Sequence, residues 1–415
     1  MSTGTKGPSR TRSRPTAPGR SAAPAPTPTQ GRSPRRPPTP KPPRRRPGSG
    51  LPVLLAAIVV TLCVVGLMMV LSASSVQALR EYGTSWMFFR RQVIWVALGI
   101  GMALLVVRVD YRHWRRLGLP IMALSLVALV AVLVPGVGIS ANGSTRWLGQ
   151  GSWRVQPSEL AKLALLVFSA DLLARLDSGP RLRSATWGAL GAFGLLGLLV
   201  MLQPDMGTTL ILGSITLAVL FAAGVPLGQM ASLIGASAVG ALIIGLIEPY
   251  RRDRLLSFRN PWADASNTGY QVVQSLVGMG TGRVTGVGVG ASRAKWGFLP
   301  NAHTDFIFAI IGEEFGLIGS LLVLLLFSVL AVVGVLIALR APDRFGTLLA
   351  GGLTTWVTAQ AVINMGAVTG LLPVTGVPLP FVSFGGSSLV ILMAAMGILG
   401  NIALQSRSPS PTTAA

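Results

Sequence analysis

The sequence predicts an all-α polytopic membrane protein of ten transmembrane helices, with both termini in the cytoplasm and a large extracytoplasmic loop between the seventh and eighth. Three observations carry that expectation. Hydrophobic residues fill 51% of the 415 positions and charged residues only 12%, a balance suited to lipid rather than to a soluble domain. The apolar residues gather into runs close to the ~20 residues that cross a bilayer. The arginines between those runs are biased to alternate loops, as the positive-inside rule requires.

Residues 1–50 hold twelve Lys and Arg, no acidic residue, and thirteen of the 29 prolines. Such a segment cannot bury a core and is expected to be a disordered cytoplasmic tail. It accounts for much of the net charge of +22, as a topogenic segment that attracts anionic membrane lipid. Docking of a partner or of nucleic acid is the alternative use, and nucleic acid is not the partner expected. The single cysteine, Cys63, lies in the first apolar run, so no disulfide framework or thiolate cluster is available. That run, Leu51 to Val76, reads as a signal anchor rather than a cleaved leader.

The membrane domain is placed at 51–404, with spans at about 52–76, 92–108, 118–136, 158–175, 185–202, 207–223, 227–247, 305–339, 346–371 and 384–404. With the N-terminus inside, the short inner loops carry nine arginines (108, 112, 115, 116, 175, 181, 183, 340 and 344) and the short outer loops five (80, 90, 91, 146 and 154). Gly188, Gly191, Gly194 and Gly197 recur in the fifth span, where absent side chains would admit a neighbouring helix. The outer loop at 248–304 is long enough to be functional. It opens on Arg251, Arg252, Arg254 and Arg259 and contains Gly278, Gly282, Gly286 and Gly290, four apart. Residues 405–415 form a short cytoplasmic tail.

A charge inside a span costs about 2.5–3.5 kcal/mol and so calls for a partner, a wet cavity or a task. Glu159 and Lys162 stand three apart at the start of the fourth span, after Arg154, Gln156 and Pro157; Ser158 could cap that helix and Pro157 fix its direction. A local ion pair is the plain reading of the two charges and ligand contact the other. Gln203-Pro204-Asp205 forms a turn, by Pro-Asp chemistry or for a ligand. The sharpest group runs from His303 and Thr304 through Asp305 to Glu313 and Glu314. Asp305 begins the eighth span, where the helix dipole favours its anion, unless it or Thr304 is merely a cap. For the glutamates the plain alternative is an ion pair with Lys162 or an outer arginine. One candidate base, arginines, a lysine, and amides such as Gln271, Gln274 and Asn364 suit a substrate with an anionic leaving group and a hydroxyl nucleophile. A transporter for an anion fits them as well.

Six stretches in order resemble the SEDS family of FtsW and RodA: Asn142 to Trp147, Gln156 to Lys162, Gln203 to Gly207, Arg254 to Pro261, His303 to Glu314, and Pro378 to Ser388. The run from Gly269 to Leu276 is more similar to FtsW. The resemblance implies a peptidoglycan glycosyltransferase of the bacterial inner membrane, acting at the division septum. It would polymerise lipid II into β-1,4 glycan with a class B penicillin-binding transpeptidase and other division proteins as partners. Asp305 falls on the family's essential aspartate and is assigned as general base on the acceptor 4-hydroxyl, in an inverting displacement that releases undecaprenyl pyrophosphate. Arg154 and Lys162 are placed near the pyrophosphate, and a divalent cation, Mg or Mn, could share that duty. The other substrate-binding candidates within the resembling stretches are Arg146, Gln156, Glu159, Gln203, Asp205 and Arg254. To these are added Gln271, Gln274, His303, Thr304, Glu314, Asn364, Ser383 and Ser387. This chain departs from many relatives at Val374-Thr375, where they carry a lysine, and at Gly297, where some division-type relatives are acidic. A lipid II flippase and a non-catalytic scaffold for the transpeptidase are the competing functions.

Overall fold

The protein is described from a computed structural model covering residues 50–141, 144–150, 153–175, 180–235, 240, 260–267 and 269–406. The expected basic tail, the later part of the seventh span, Asn142-Gly143, Arg254 and the last nine residues lie outside the described residues.

Helix α1 (Leu51–Tyr82) is followed by α2 (Met87–Val106), a 3-10 turn at Tyr111–His113 and α3 (Trp114–Leu133). Three short antiparallel strands, β1 (Ile139–Ala141), β2 (Ser144–Gln150) and β3 (Trp153–Val155), lead into α4 (Pro157–Ala174), α5 (Pro180–Leu202) and α6 (Met206–Ala222). Residues 227–235 are helical. Then come α7 (Tyr270–Gly282), a 3-10 turn at Ala294–Trp296, α8 (Ile307–Leu339), α9 (Arg344–Val368) and α10 (Gly386–Gln405). The strands pair in register Leu148 with Val155 and Thr145 with Ser140. They add a small sheet to an otherwise helical protein, which two three-residue strands and one of seven, without alternating polarity, could not announce.

Among the described residues, six helical segments are long and apolar enough to cross a membrane: Leu51–Tyr82, Met87–Val106, Tyr111–Leu133, Leu182–Leu202, Ile307–Leu339 and Gly386–Gln405. Helix α6 is apolar but shorter. Helices α4 and α9 are absent from that group for a physical reason. Helix α4 carries Glu159, Lys162 and Asp171, and α9 carries Gln360 and Asn364 among glycines and threonines. Both are interior: α4 packs on α3, α5, α6, α9 and α10, and α9 also on α7 and α8. Their polar groups therefore face protein, as they must in hydrocarbon. The molecule is thus a polytopic helical membrane protein with a polar centre inside an apolar ring.

In lipid there is little hydrophobic drive between helices, so close packing of small residues matters more. A Cβ on Gly352 of α9 would stand 2.1 Å from Leu166 of α4, and one on Gly397 of α10 2.8 Å from the Ala103 carbonyl of α2. The glycine stripe expected in α5 acts this way only at Gly188, 2.9 Å from Leu172; Gly191 and Gly194 face open space. Residues 260–304 are not an irregular loop, since α7 and two 3-10 turns, at Pro261–Asp264 and Ala294–Trp296, lie within them. Some of their glycines are tightly packed: a Cβ on Gly282 would fall 2.0 Å from the Gly312 carbonyl, whereas Gly280 and Gly288 face open space.

Candidate functional site

The site is assembled where the approach to α8 meets the segment between α9 and α10. Asp305 lies in a turn two residues before α8 and is half-buried. The helix N-cap position belongs to Phe306, which makes no side-chain cap, so neither Thr304 nor Asp305 fills that role. The turn closes through Asn301, at φ 57°, whose carbonyl accepts from the Thr304, Asp305 and Phe306 amides. From α9, Asn364 Nδ2 donates to the carbonyls of Asp305 (2.7 Å) and Val377 (2.8 Å), tying the turn to the segment that follows α9. A Cβ on Gly376 would stand 3.7 Å from Asp305 Oδ2, and at φ +71° that position suits glycine.

Ser383 and His303 fasten the other side. Ser383 Oγ donates to the Thr304 carbonyl and accepts from the Leu379 amide, and Phe384 N donates to the His303 carbonyl at 3.0 Å. The His303 ring packs against Phe88 and Phe384, with centroids 4.7 and 5.7 Å away. Burial pushes its imidazole down to about 4, against a smaller upward pull from Glu81. It is therefore neutral at pH 7.

The second half of the site lies at the N-termini of α4 and α6. Asp205 is the N-cap of α6, accepting from Thr208 N at 3.1 Å and Thr208 Oγ1 at 2.9 Å, and it also faces Gln156 Nε2 (3.3 Å) and Arg146 (3.7 Å). Arg146, on β2, donates as well to the carbonyls of Gln203 and Pro204. Gln203 Nε2 reaches the Leu129 carbonyl at 3.1 Å, and Gln156 N donates to Ser387 Oγ at 3.2 Å. The halves meet at Gly207, where a Cβ would be 2.2 Å from Val377 and 3.0 Å from Thr375. Gln156 rather than Ser158 holds the cap position of α4, with Pro157 in the first turn; Ser158 Oγ is buried without a partner among the described residues.

Glu159 and Lys162 form the ion pair, at 2.8 Å, and both are almost wholly buried. Lys162 also donates to Gln360 Oε1 (3.3 Å) and lies over the Trp356 ring, while Gln360 Nε2 donates to the Pro378 carbonyl at 3.0 Å. Lys162 thus supports the segment beside Asp305 from below rather than presenting an open ammonium to a phosphate. Glu314 departs from the expected site more clearly. Its carboxylate turns to Ser72 and Lys295 and not to Lys162 or an arginine. Gln271 and Gln274 are half-buried on α7, outside this network, and Arg154 is exposed on β3. Three contributors were not expected from the sequence: Gln360, Lys295, and Gln92 of α2, which donates to the Ser383 carbonyl at 3.3 Å and accepts from Gly385 N. The two glutamines are amides within apolar helices, a legible signal; Lys295 sits in a loop like any solvated lysine.

Asn364 Oδ1 and Thr375 Oγ1 are buried without hydrogen-bond partners among the described residues, acceptors and donors facing the same junction. No three His, Cys, Asp or Glu side chains come together as metal ligands among the described residues.

The cell cycle protein family of FtsW, RodA and SpoVE matches residues 53–408. The chain belongs to that family. Its likeness to individual members extends over nearly their whole length. It is 41% identical over 360 residues to the stage V sporulation protein E of Bacillus subtilis, covering 86% of this chain and 97% of that one. A probable peptidoglycan glycosyltransferase FtsW of Geobacter metallireducens is 39% identical, with 85% and 94% covered. Among solved structures, a chain from a peptidoglycan synthase complex coordinating polymerisation and crosslinking aligns with TM-score 0.68 and 28% identity, over 85% of this chain and 96% of that chain. The rod shape determining protein RodA of Thermus thermophilus aligns with TM-score 0.64 and 27% identity, over 88% and 100%. In this FtsW-type SEDS chain the matching region spans both halves of the site, from the sheet carrying Arg146 to Ser387 on α10.

Proposed function

We propose that this chain is a peptidoglycan glycosyltransferase that polymerises lipid II into β-1,4 glycan at the division septum of the bacterial cytoplasmic membrane. The observation that carries the reading is the placement of Asp305: a half-buried carboxylate at the mouth of an apolar helix, held through its own backbone by Asn364, at the junction of both halves of the site. A general base must be held within reach of the proton it takes, and the bonds to the Asp305 backbone hold its carboxylate in that way.

In the reaction Asp305 accepts the proton of the acceptor sugar 4-hydroxyl as that oxygen attacks the anomeric carbon of the donor. The anomeric carbon–oxygen bond to the pyrophosphate breaks, the configuration inverts, and undecaprenyl pyrophosphate leaves with the electron pair. Arg146, Arg154 and Arg254 supply guanidinium groups for phosphate oxygens, and Gln156, Gln271, Gln274 and Ser387 supply polar contacts for sugar hydroxyls. Glu159 and Lys162 act from behind, through Gln360, on the segment beside the base. A divalent cation, Mg or Mn, would be held by the single carboxylate of Asp305 together with the substrate, and would supply positive charge to the departing pyrophosphate.

The fold in the membrane follows: ten spans, both termini inside, and the α7-containing loop outside. A class B penicillin-binding transpeptidase is the partner, a reading supported by the synthase-complex chain to which this one is similar. The deciding measurement is glycan polymerisation from lipid II by purified protein, wild type against Asp305→Asn. Loss of a general base removes about 100- to 10,000-fold of rate, so polymer from wild type and none from the folded variant is the expected result. Headgroup translocation in liposomes with no polymer under any partner or metal condition would instead make the chain a flippase.

A further inference from the structure

We infer that Ser72, Glu314 and Lys295 are positioning residues for Asp305, acting through a break in α8; the inference rests on Asp305 being the base. Helix α8 is interrupted at Gly316, at φ 65° and ψ −159°. The piece before the break, residues 307–315, is about two and a half turns long. Asp305 lies two residues before one end of it, and the two glutamates stand at the other.

The broken end is repaired by the glycine-rich segment after α7. The amides of Val287 and Gly288 donate to the Glu313 and Glu314 carbonyls at 3.0 and 3.1 Å, and those of Leu317 and Ile318 to the Arg283 and Val284 carbonyls at 2.9 and 3.2 Å. Backbone approach is close enough that a Cβ on Gly286 would lie 2.1 Å from the Glu314 oxygen. Side chains then lock the arrangement. Glu313 accepts from Ser292 Oγ, Arg293 N and Ala294 N. Glu314 Oε1 accepts from Ser72 Oγ of α1 at 2.6 Å and from Lys295 Nζ at 3.4 Å, and Lys295 also donates to the Gly290 carbonyl. Glu314 and Lys295 are both buried, at 1% and 8% exposure.

A buried ion pair adds little stability over apolar residues of the same volume, but it fixes a register that apolar residues would leave loose. Here the register fixed is that of a short helix joined to the rest of α8 through a glycine outside helical φ/ψ. Helix α1 supplies the fulcrum. Six residues before Ser72, its Gly66 packs on the Phe381 and Val382 backbone of the segment that binds the Asp305 turn. One helix therefore touches both the latch and the site, and the distance between them sets where Asp305 sits.

The test is lipid II polymerisation by the purified full chain with its transpeptidase made inactive for crosslinking, together with backbone amide exchange. Ser72→Ala removes two hydrogen bonds, the one its hydroxyl donates to Glu314 Oε1 and the one it accepts from Lys295 Nζ at 3.3 Å, and leaves no new buried charge. It is expected to lower kcat about tenfold with KM changed by less than about threefold, and to speed exchange across 307–315 while α9 is unchanged. Lys295→Met is expected to lower kcat further, and Lys295→Arg to recover most of it. Should Lys295→Met fail to fold, Ser72→Ala decides alone. Wild-type kcat and exchange in Ser72→Ala, alongside an inactive Asp305→Asn, would overturn the positioning role and leave the base in place. An active Asp305→Asn would overturn the base itself.

Discussion

His303 shows how much one side chain's surroundings can decide. Its ring is enclosed by Phe88 and Phe384, and burial lowers its pKa from 6.5 to about 4. A base with a depressed folded pKa lends its full share of stability above the unfolded value and loses it as pH falls towards the folded one. Between pH 7 and pH 5 the loss is about 2 kcal/mol. Thermal melts of the purified protein should therefore fall on acidification to pH 5, and fall less in His303→Phe; an unchanged acid response in that variant would put the sensitivity elsewhere. The place of Asp305 was legible in the sequence as a carboxylate opening an apolar run, while its assignment as base came from the resemblance to the family's motif. The direction of Glu314 was not legible. Its partners, Ser72 and Lys295, are 242 and 19 residues away, and nothing local distinguishes a glutamate facing a substrate from one facing a buried lysine.

At the scale of elements, the spans emerged from hydropathy because lipid imposes their length, while their packing partners and irregularities did not. The α5 glycines resembled a contact stripe, yet the tight contacts occur elsewhere. The sheet at 139–155 and the break at Gly316 were invisible for a related reason: each depends on hydrogen bonds between separate segments rather than on local pattern. Helix α7 was passed over because its glycines hid a short amphipathic run. Gly66 gives a direct check of close packing. A Cβ there would lie 2.5 Å from the Phe381 oxygen and 2.8 Å from the Val382 Cα, both backbone atoms. Gly66→Ala should destabilise by about 1–3 kcal/mol through overpacking. Gly101→Ala in α2 meets nothing within 4 Å and should gain up to about 1 kcal/mol from helix propensity. Melting temperatures of the two variants, moving in opposite directions, would bear out the contact; equal shifts would refute it.

For the whole molecule, orientation is testable with single cysteines, since Cys63 is buried. Trp86 is exposed between α1 and α2, and Arg116 is exposed at the start of α3, at opposite ends of α2 and its connection. A membrane-impermeant maleimide should label Trp86→Cys in intact cells and Arg116→Cys only after permeabilisation; the reverse pattern would invert the proposed topology. The interior place of α4 has a consequence for how the protein is made. Its Glu159, Lys162 and Asp171 would each resist partitioning from the translocon into lipid, so α4 alone is a poor candidate for stepwise release. Its neighbour in synthesis carries the remedy, because Arg115 at the start of α3 reaches Asp171 at 2.8 Å. The two helices are therefore expected to leave the translocon as a hairpin, with Asp171 already paired before it meets acyl chains, while the groups that Gln360 and Asn364 of α9 complete wait for later spans.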